Sequence, residues 1–527
     1  MTGRAIGIDL GTTYSVVAAL DERGEAQALT DVEGNVLIPS AVHFVRRGEA
    51  VVGRLAKASQ AVEPDRVVTA VKRDMGTELT RRFDEVDLTP EGISGVILRA
   101  LAVTAANALG VAPESLRAVI TVPAYFGVAE KEATAQAAAI AGLDLMELVA
   151  EPVAAAVSYG VDSGTSGLVL VYDLGGGTFD TTVLEVGAEG PRVLVTDGSS
   201  RLGGLNWDDR LQSLLLERFV AVTQDEDALD DDDFQLAVAA AAEDLKKQLS
   251  ERESASVTLT RGRERSRIAL SRSDFEERTA DLVAMTLEVV QRALSLAGTR
   301  CRLPLREVIL VGGSTKMPMI AAALREAVNV PVALRDPDLA VAKGAALHAA
   351  ALDRRAGVPP EQPLIAVSAK GERARSLQPA TGVVPRAIGV LLRDSHDPSG
   401  TRLFVEHLVT ANTPLPVVGV EATFATIMKN QDRVRVELFE QAGPMPSPDL
   451  ANNRRVLDGE LIGLPQLPAG SPIELTLAVA PDGRIRCTAL EPRSGKVLVL
   501  ESYMEGVVDG AAAAAQRHHV SSLRISS

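Results

Sequence analysis

The sequence predicts an α/β domain followed by a smaller antiparallel β domain. Up to about residue 355, short apolar runs typical of strands alternate with segments of helical spacing. Beyond residue 386 helical spacing nearly vanishes, and short alternating runs are separated by turn residues. The tripeptide Asp-Leu-Gly occurs at 9–11 and again at 173–175, each time between two apolar runs. This repeat predicts two similar halves within the α/β domain.

The elements of the first half follow from spacing and from end signals. Ala5–Leu10 and Ser15–Leu20 are predicted to be strands on either side of a Gly-Thr-Thr turn. Helical spacing extends over Gly92–Leu109 and over Val128–Ala141, where Gly142 provides a stop. The apolar run Arg117–Pro123 between these helices is predicted to be a buried strand.

Changes in composition divide the chain into four segments. Residues 1–355 form the α/β domain, and residues 356–385, rich in Pro and Gly, form a linker. Residues 386–507 form the β domain, and residues 508–527 form a short helix and a polar tail.

The totals exclude several classes of protein. The net charge of −16 argues against a nucleic-acid partner, because phosphate contacts need clustered Lys and Arg. Two cysteines, Cys301 and Cys487, lie in different predicted domains, which favours a reducing compartment over a disulfide framework. No apolar run is predicted to reach the length of a membrane span, and the N-terminus carries no signal-peptide pattern. We therefore expect a cytoplasmic protein without a membrane partner.

The turn after the first strand has the chemistry of a phosphate site. Gly11 allows the backbone to approach a phosphate, Thr12 and Thr13 can donate hydrogen bonds to it, and Asp9 can hold a hydrated Mg²⁺. It is not a P-loop, because no helix with a Lys-Ser/Thr pair follows it. Alone, the turn is equally well explained as a plain hairpin. The second copy, Asp173 to Asp180, favours two turns facing one nucleotide.

Two further segments complete a nucleotide site. The buried strand at 308–311 ends in Gly312-Gly313-Ser314, where small residues let a flat adenosine lie against the backbone. One helix face carries polar side chains at three- and four-residue spacing that could clasp a purine and a ribose: Glu243, Lys246, Lys247 and Ser250. A solvated charged face is the alternative for that helix.

Together these segments resemble the DnaK-type seventy-kilodalton heat-shock chaperones, over about residues 1–507. The segments that carry the resemblance, in order, are Ile6–Ser15, Ala118–Phe126, Glu151-Pro152, Asp173–Asp180, Leu202–Gly204 and Leu310–Thr315.

The resemblance implies an actin-like ATPase fold with duplicated ribonuclease-H-like lobes, holding ATP or ADP and Mg between them. It implies slow hydrolysis of ATP to ADP and phosphate, with catalytic residues Lys72, Glu151, Asp173, Thr178 and Asp9. Mg would be held through water by Asp9 and Asp173. The implied nucleotide-binding residues are Gly11, Thr12, Thr13, Tyr14, Gly175, Gly176, Gly177, Gly203, Gly204, Glu243, Lys246, Lys247, Ser250, Gly312, Gly313, Ser314, Lys316 and Asp338.

For residues 386–507 the resemblance implies a peptide-binding β-sandwich that holds extended apolar segments of unfolded proteins. J-domain and nucleotide-exchange co-chaperones are the implied partners. Pro123 and Lys131 match positions through which the family transmits nucleotide state, with lysine in place of the usual arginine.

The chain also departs from the family pattern. Residues 353–386 are longer and more polar than the family linker, and we expect no helical lid, because only about residues 510–517 favour a helix there. These departures keep open an alternative function, an ATP-regulated module that binds one dedicated protein partner without general chaperone activity.

Overall fold

The computed structural model describes residues 3–159, 166–187, 191–334, 336–355, 382–394, 397, 401–443, 445–480, 483–501 and 510–526. In residues 3–159 the strands are β1 (Arg4–Asp9), β2 (Tyr14–Leu20), β3 (Ala26–Ala28), β4 (Ile38–Pro39), β5 (Ala41–Arg46), β6 (Glu49–Val52), β7 (Val67–Thr69), β8 (Arg81–Phe83), β9 (Val86–Leu88), β10 (Leu116–Val122) and β11 (Asp144–Ala150). The helices of this part are α1 (Arg54–Ser59), α2 (Pro90–Leu109), α3 (Val128–Ala141) and α4 (Glu151–Ser158).

In residues 166–355 the strands are β12 (Gly167–Leu174), β13 (Phe179–Val186), β14 (Arg192–Ser199), β15 (Ser254–Arg261), β16 (Glu264–Ser271), β17 (Leu305–Val311) and β18 (Val332–Leu334). The helices are α5 (Gly204–Thr223), α6 (Asp232–Glu251), α7 (Arg272–Arg278), α8 (Ala280–Arg300), α9 (Pro318–Ala327) and α10 (Ala340–Arg355).

In the rest of the chain the strands are β19 (Ile388–Arg393), β20 (Leu403–Val409), β21 (Val417–Ala425), β22 (Arg433–Gln441), β23 (Asn453–Ile462), β24 (Pro472–Val479), β25 (Ile485–Glu491) and β26 (Lys496–Glu501). Helix α11 (Gly510–Ser522) and strand β27 (Arg524–Ser526) follow.

The two main sheets repeat one strand order. In residues 3–159, here the first lobe, the order is β3-β2-β1-β10-β11, and in residues 166–334, the second lobe, it is β14-β13-β12-β17-β18. In each sheet three antiparallel strands are followed by two parallel ones. Asp9 ends β1, and Asp173 lies one residue before the end of β12. The repeated Asp-Leu-Gly segments therefore occupy corresponding places in two sheets of the same topology.

Helices α4 and α10 lie between the two lobes. Their buried residues, among them Ala154 and Val341, form one apolar cluster with Val119 of the first sheet and Val171 of the second. Each lobe also has its own core on the far side of its sheet. The apolar cluster between the lobes therefore fixes the two repeated turns near one another.

The helix boundaries agree with the signals in the sequence. Helix α3 spans Val128–Ala141, and Gly142 follows it with φ 79°, a left-handed conformation that glycine adopts at little cost. Helix α2 begins after Thr89, whose side chain accepts a hydrogen bond from the Gly92 N–H. Both predicted helices are thus confirmed, with α2 beginning two residues earlier than its apolar spacing indicated.

The β domain consists of two four-stranded antiparallel sheets, in the orders β20-β19-β22-β23 and β21-β24-β25-β26. They share one apolar core that includes Leu438, Leu477 and Cys487. Along β24 inward-facing residues alternate with exposed ones, which is the pattern of a sheet with one buried face. Alternation in the sequence predicts strands near β19, β20, β21, β22, β24 and β25, but it does not predict β23 and β26.

Most of the predicted linker, residues 356–381, lies outside the described residues. Residues 382–385 already belong to the packed structure. Val383 pairs with Pro414, and the Val384 N–H donates to the Thr413 carbonyl at 2.8 Å.

Two expectations about single segments need correction. The expected short helix is present at Gly510–Ser522, but Arg524–Ser526, expected to be a polar tail, form a strand, and both elements pack on the first lobe. Within the described residues, α2 is long and apolar enough by composition to cross a membrane, although no such run was expected. In this structure 72% of its apolar window is buried inside the protein, as in a core helix.

The core of the second lobe can be tested at Phe219 on α5. Its fully buried ring lies 4.8 Å, centroid to centroid, from that of Phe234. We expect Phe219→Ala to lower the free energy of unfolding of this lobe by about 3–5 kcal/mol, because it removes buried contacts and leaves a cavity. The fluorescence of Trp207, the single tryptophan of the chain and a buried residue of the same helix, reports the transition.

Val222→Ala provides the matched control, because Val222 lies on the same helix and is 68% exposed. We expect that change to stay within about 0.5 kcal/mol. Equal losses in the two variants would contradict the described packing of α5.

Candidate functional site

The two repeated turns approach each other across a cleft between the lobes, with the backbone of Gly176 and Gly177 close to the side chains of Thr13 and Thr12. A methyl group placed on Gly176 would lie 1.8 Å from Thr13 Oγ1, and one on Gly177 would lie 2.5 Å from Thr12 Cγ2. A side chain at either position would force Thr12, Thr13 or the facing turn to shift, so both glycines are favoured by close approach. The cleft between the turns is a cavity of about 450 Å³.

A buried lysine and several carboxyl groups lie at the base of the cleft. Lys72 Nζ is 2.7 Å from Glu151 Oε1, and both side chains are buried. Lys72 comes from a single 3-10 turn, Val71–Asp74, and Glu151 is the first residue of α4. Asp9, at the end of β1, and Asp173, near the end of β12, line the same cavity.

Burial and mutual repulsion shift the pKa values of these acids. Burial, with the charge of Glu151, raises the pKa of Asp9 to about 7, against the opposing effect of Lys72. The pKa of Asp173 is raised well above its usual value, first by burial and then by Glu151. Burial alone would lower the pKa of Lys72, but the charges of Glu151 and Asp9 outweigh it and raise that pKa. The lysine therefore stays charged, while the acids around it compete for neutralisation.

The other end of the cleft is bordered by the polar face of α6. Lys247 Nζ lies 2.7 Å from Glu243 Oε1 and 3.1 Å from the Tyr14 hydroxyl of the first lobe. Lys57, also of the first lobe, reaches Glu243 Oε2 at 2.5 Å. Burial of Glu243 is more than offset by hydrogen bonds from Lys247 and Lys57, which lower its pKa to about 2. These pairs join the lobes across the mouth of the cleft.

Asp208 is a functional candidate that the sequence reasoning missed. Its Oδ2 pairs with Lys246 Nζ at 2.7 Å, whereas its buried Oδ1 has no hydrogen-bond partner. Lys246 also donates to the Gly204 carbonyl at 3.1 Å. A buried acceptor without a partner beside a cavity is suited to a ligand hydroxyl or amine. Asp208 follows Gly203 and Gly204 by one helical turn, a signal that spacing could have supplied.

Most predicted nucleotide-site residues line this one cavity. These are Asp9, Gly11, Thr12, Thr13, Tyr14, Lys72, Glu151, Asp173, Gly175, Gly176, Thr178, Glu243, Lys246, Lys247, Ser250, Gly312, Gly313, Ser314, Lys316 and Asp338. Gly177, Gly203 and Gly204 lie behind its wall, where Gly203 packs on the Gly177 backbone. Ser314 donates to the Gly175 carbonyl at 2.9 Å, and Lys316 pairs with Asp338.

The sequence analysis also missed side chains whose place at the cavity is evident only from the structure. The apolar lining residues are Val16, Leu37, Leu205, Val311, Met317, Pro337 and Val341, with Glu251 added at the edge. Lys57 and Asp180 act on the cavity through its lining residues, Lys57 by pairing with Glu243. The segment of Lys57 carries no phosphate-binding pattern. Asp180 ends the repeated segment Asp173–Asp180, but nothing in the sequence indicates that its carboxylate acts on Asp173.

The donor set suits a cation that keeps water. Among the described residues no three His, Cys, Asp or Glu side chains are arranged to hold a metal ion directly. Mg²⁺ is typically held by one or two carboxylates together with phosphates and water. Asp9 and Asp173, which face the cavity from opposite lobes, fit that mode of binding.

The two lobes have the same topology, and their Gly-Thr turns, acids and lysines line one cavity. A protein with this arrangement can hold an anionic ligand between its lobes. The family model for the Hsp70 protein matches residues 5–86 and 79–360. The chain is 34% identical over 506 residues to the chaperone protein DnaK of Thermotoga neapolitana and to that of Thermotoga maritima, covering 93% of this chain and 79% of each relative. It is also 34% identical to the DnaK protein of Thermosipho melanesiensis, over 93% of this chain and 78% of that protein. The chain belongs to the Hsp70 family.

The acids at the base of the cleft give a test at Asp180, a buried residue that accepts a hydrogen bond from the Tyr125 N–H at 2.9 Å. Burial, followed by the charge of Glu151, raises its pKa to about 8. The unfolded chain releases this proton near pH 4, whereas the folded chain keeps it up to about pH 8. The stability of the folded chain therefore falls as the pH rises between these two values. We therefore expect Asp180→Asn to exceed the unchanged chain in thermal unfolding midpoint by a margin that widens from about pH 5 to about pH 8.

The introduced asparagine would keep an acceptor for the Tyr125 N–H, so the variant removes the charge and not the hydrogen bond. Asp87→Asn, at an exposed position of β9, provides the control. A margin that is constant or narrows with rising pH would contradict the assigned environment of Asp180.

Proposed function

We propose that the chain is an ATP-dependent chaperone-like protein. It binds ATP with Mg²⁺ between two actin-like lobes, hydrolyses it slowly to ADP and phosphate, and binds extended apolar peptide segments through its β domain. The observation that carries the proposal is the meeting of both Gly-Thr turns with Lys72, Glu151, Asp9 and Asp173 around one cavity. Its volume, about 450 Å³, lies within the ~300–1,000 Å³ typical of small-molecule sites.

Two groups of cleft residues bind the two parts of the nucleotide in this proposal. Thr12, Thr13, Gly175 and Gly176 offer hydroxyl and backbone donors to the phosphate chain. The polar face of α6, with Gly312, Gly313 and Ser314, surrounds the adenosine. In this proposal Asp208 Oδ1 accepts from that part of the ligand, which supplies the partner that the carboxylate lacks.

Hydrolysis in this proposal depends on positioning and on charge. Lys72 holds its positive charge toward the terminal phosphoryl group, and Glu151 fixes the lysine by the 2.7 Å contact. Asp9, Asp173 and Thr178 orient water from the two turns. Bound Mg²⁺ would neutralise phosphate charge and favour the ionised forms of the acids, whose pKa values are raised in its absence.

The first experiment compares ATP turnover in Lys72→Ala and Asp173→Asn with that of the unchanged chain. We expect each change to lower the turnover number by at least about 100-fold, because each removes a charge from the base of the cleft. Lys429→Ala and Asp87→Asn, at exposed positions, are the controls and should keep full turnover.

Trp207 fluorescence and the thermal midpoint show whether each variant is folded. Unchanged turnover in both cleft variants would overturn the assignment of the site. A stable single partner recovered in stoichiometric amount, instead of a range of unfolded chains, would favour the alternative function of an ATP-regulated binding module.

Coupling between nucleotide and peptide is supported by a buried charge cluster between the first lobe and the β domain. The Glu440 carboxylate, 1% exposed, accepts from the Val128 N–H at 3.1 Å and so caps the first turn of α3. A methyl group on Gly127 would lie 2.1 Å from Glu440 Oε2, so glycine is needed there. A carboxylate of the β domain thus satisfies the helix end of the lobe.

Two arginines of the β domain complete this interdomain charge cluster, defined as Glu130, Arg386, Glu440 and Arg454. Arg454 Nη2 lies 2.7 Å from Glu130 Oε2 and 3.3 Å from Glu440 Oε2. Arg386 Nη1 lies 3.2 Å from Glu130 Oε1. Both arginines pull down the pKa of Glu130, against its burial. Removing one charge from such a buried set leaves the others without compensation.

The cluster lies close to the acids of the cleft. The Arg386 guanidinium is 4.8 Å from the ring centroid of Tyr125, whose backbone N–H donates to Asp180. The charge of Glu151 acts on Asp180 in turn. In our proposal this short series of contacts transmits the state of the cleft to the β domain.

The experiment measures the ratio of ATP turnover with and without an extended apolar peptide. We expect Glu440→Gln to bring that ratio toward one while basal turnover stays unchanged, because the residue touches α3 and not the cleft. Glu437→Gln is the matched control, since Glu437 lies on the same strand and pairs with Arg455 inside the β domain. Equal stimulation in the Glu440 and Glu437 variants would rule out coupling through the cluster.

A further inference from the structure

Residues 510–526, here called the C-terminal clasp, leave the β domain and pack on the first lobe. Helix α11 lies against α2 and α3. Val520 is fully buried and Leu523 is 5% exposed, and both belong to the apolar core of the first lobe. The clasp thus buries apolar side chains in a body other than the domain from which it emerges.

Polar contacts fix the position of α11. Gln516 is buried, and its Oε1 accepts from the Thr89 hydroxyl at 3.1 Å. Thr89 is the residue that caps the first turn of α2. Arg99, farther along α2, donates to the Val520 carbonyl. Thr89, at the start of α2, and Arg99, farther along it, therefore each bind a defined residue of the clasp. These two contacts fix the position of α11 along α2.

The last residues of the clasp add a strand to a sheet edge of the first lobe. Strand β27 pairs parallel with β6, with Ile525 opposite Ala50. The Arg524 N–H donates to the Gly48 carbonyl at 2.9 Å. Strand β6 otherwise pairs only with β5 in this sheet of the described structure. The clasp therefore satisfies edge groups that would attract another strand.

The clasp gives the β domain a second connection to the lobes, and the second is much the shorter. Residues 356–381 separate the end of α10 from Gly382, a length that extended chain could stretch over ~90 Å. Residues 502–509 separate Glu501 from α11 and could span only ~30 Å. With the clasp docked, the β domain cannot move away by more than the shorter distance.

We propose that the C-terminal clasp is an internal ligand of the first lobe that holds the β domain beside the lobes when the interdomain charge cluster opens. A short tether keeps the local concentration of the β domain near its docking surface high, so redocking is favoured without any new contact at that surface. The clasp binds by apolar burial and backbone pairing, so salt that screens the charge cluster leaves it in place. This role does not depend on whether the cleft hydrolyses ATP.

The test uses small-angle X-ray scattering of the full chain carrying Glu440→Gln, which weakens the interdomain charge cluster so that the clasp is the remaining attachment, and of three further variants of that chain. Val520→Asp places a charge in the core of the first lobe and should release the clasp, as should a chain ending at Glu501. Ala515→Asp introduces the same charge at an exposed position of α11 and is the matched control. We expect the first two to increase the maximum dimension by several tens of ångströms, and the control to match the full chain.

A labelled peptide of residues 510–526 gives a second measurement. It should bind the chain that ends at Glu501, should not bind the full chain, and should not restore the smaller dimension, because it carries no connection to the β domain. If Val520→Asp fails to fold, the shortened chain carries the test. Unchanged dimensions without the clasp, or a peptide that does not bind the shortened chain, would overturn the proposal.

Discussion

The structure depends on one buried cation, Lys72, placed among carboxyl groups that repel one another. Glu151 neutralises it at 2.7 Å, while Asp9, Asp173 and Asp180 are left with raised pKa values. Such an arrangement is unfavourable for the empty fold, because charges are removed from water without full compensation. In the proposed function, bound phosphates and a divalent cation would supply the compensation that Lys72 and these acids do not give one another. The lobes are held in register for this purpose by the apolar cluster around α4 and α10, which is indifferent to charge.

The same solution recurs where the β domain meets the first lobe. Glu130 and Glu440 are buried with Arg386 and Arg454, and the N-terminus of α3 adds its own partial positive charge. Because these buried charges depend mainly on one another for compensation, the cluster tolerates little displacement. A small movement of α3 therefore costs more here than it would at an apolar interface, where contacts are lost gradually. Tyr125 places this sensitive joint next to the acids of the cleft.

Much of this could be predicted from local patterns, and most of the failures share one cause. The two Gly-Thr turns, α3 with its stop at Gly142, the Gly312–Ser314 turn and the polar face of α6 follow from spacing and glycine chemistry within short segments. Lys72 and Glu151 were expected only from the family resemblance. The roles of Lys57 and Asp180 could not be found that way, because their partners, Glu243 and the Tyr125 N–H, lie in the other lobe. Asp208 was missed although its spacing from Gly204 could have indicated it. The role of Glu440 could not be predicted either, because a carboxylate on a strand gives no sign in the sequence that it caps a helix 312 positions away. The tail at 510–526 looked polar because the buried residues among its described side chains, Gln516, Val520 and Leu523, are few and spaced three or four positions apart.

The two attachments of the β domain differ in their sensitivity to salt. The interdomain charge cluster is electrostatic, and salt weakens whatever part of it water can reach. The C-terminal clasp is held by Val520, Leu523 and a backbone ladder, and apolar burial of this kind is not weakened by screening. A protein with only the first attachment would release its β domain whenever the cluster opened, and one with only the second would hold the domain nearby without orienting it. In the proposed function the two attachments have separate tasks, orientation by charge and proximity by a short tether. The charge cluster could then open in response to the cleft while the β domain stays beside the lobes.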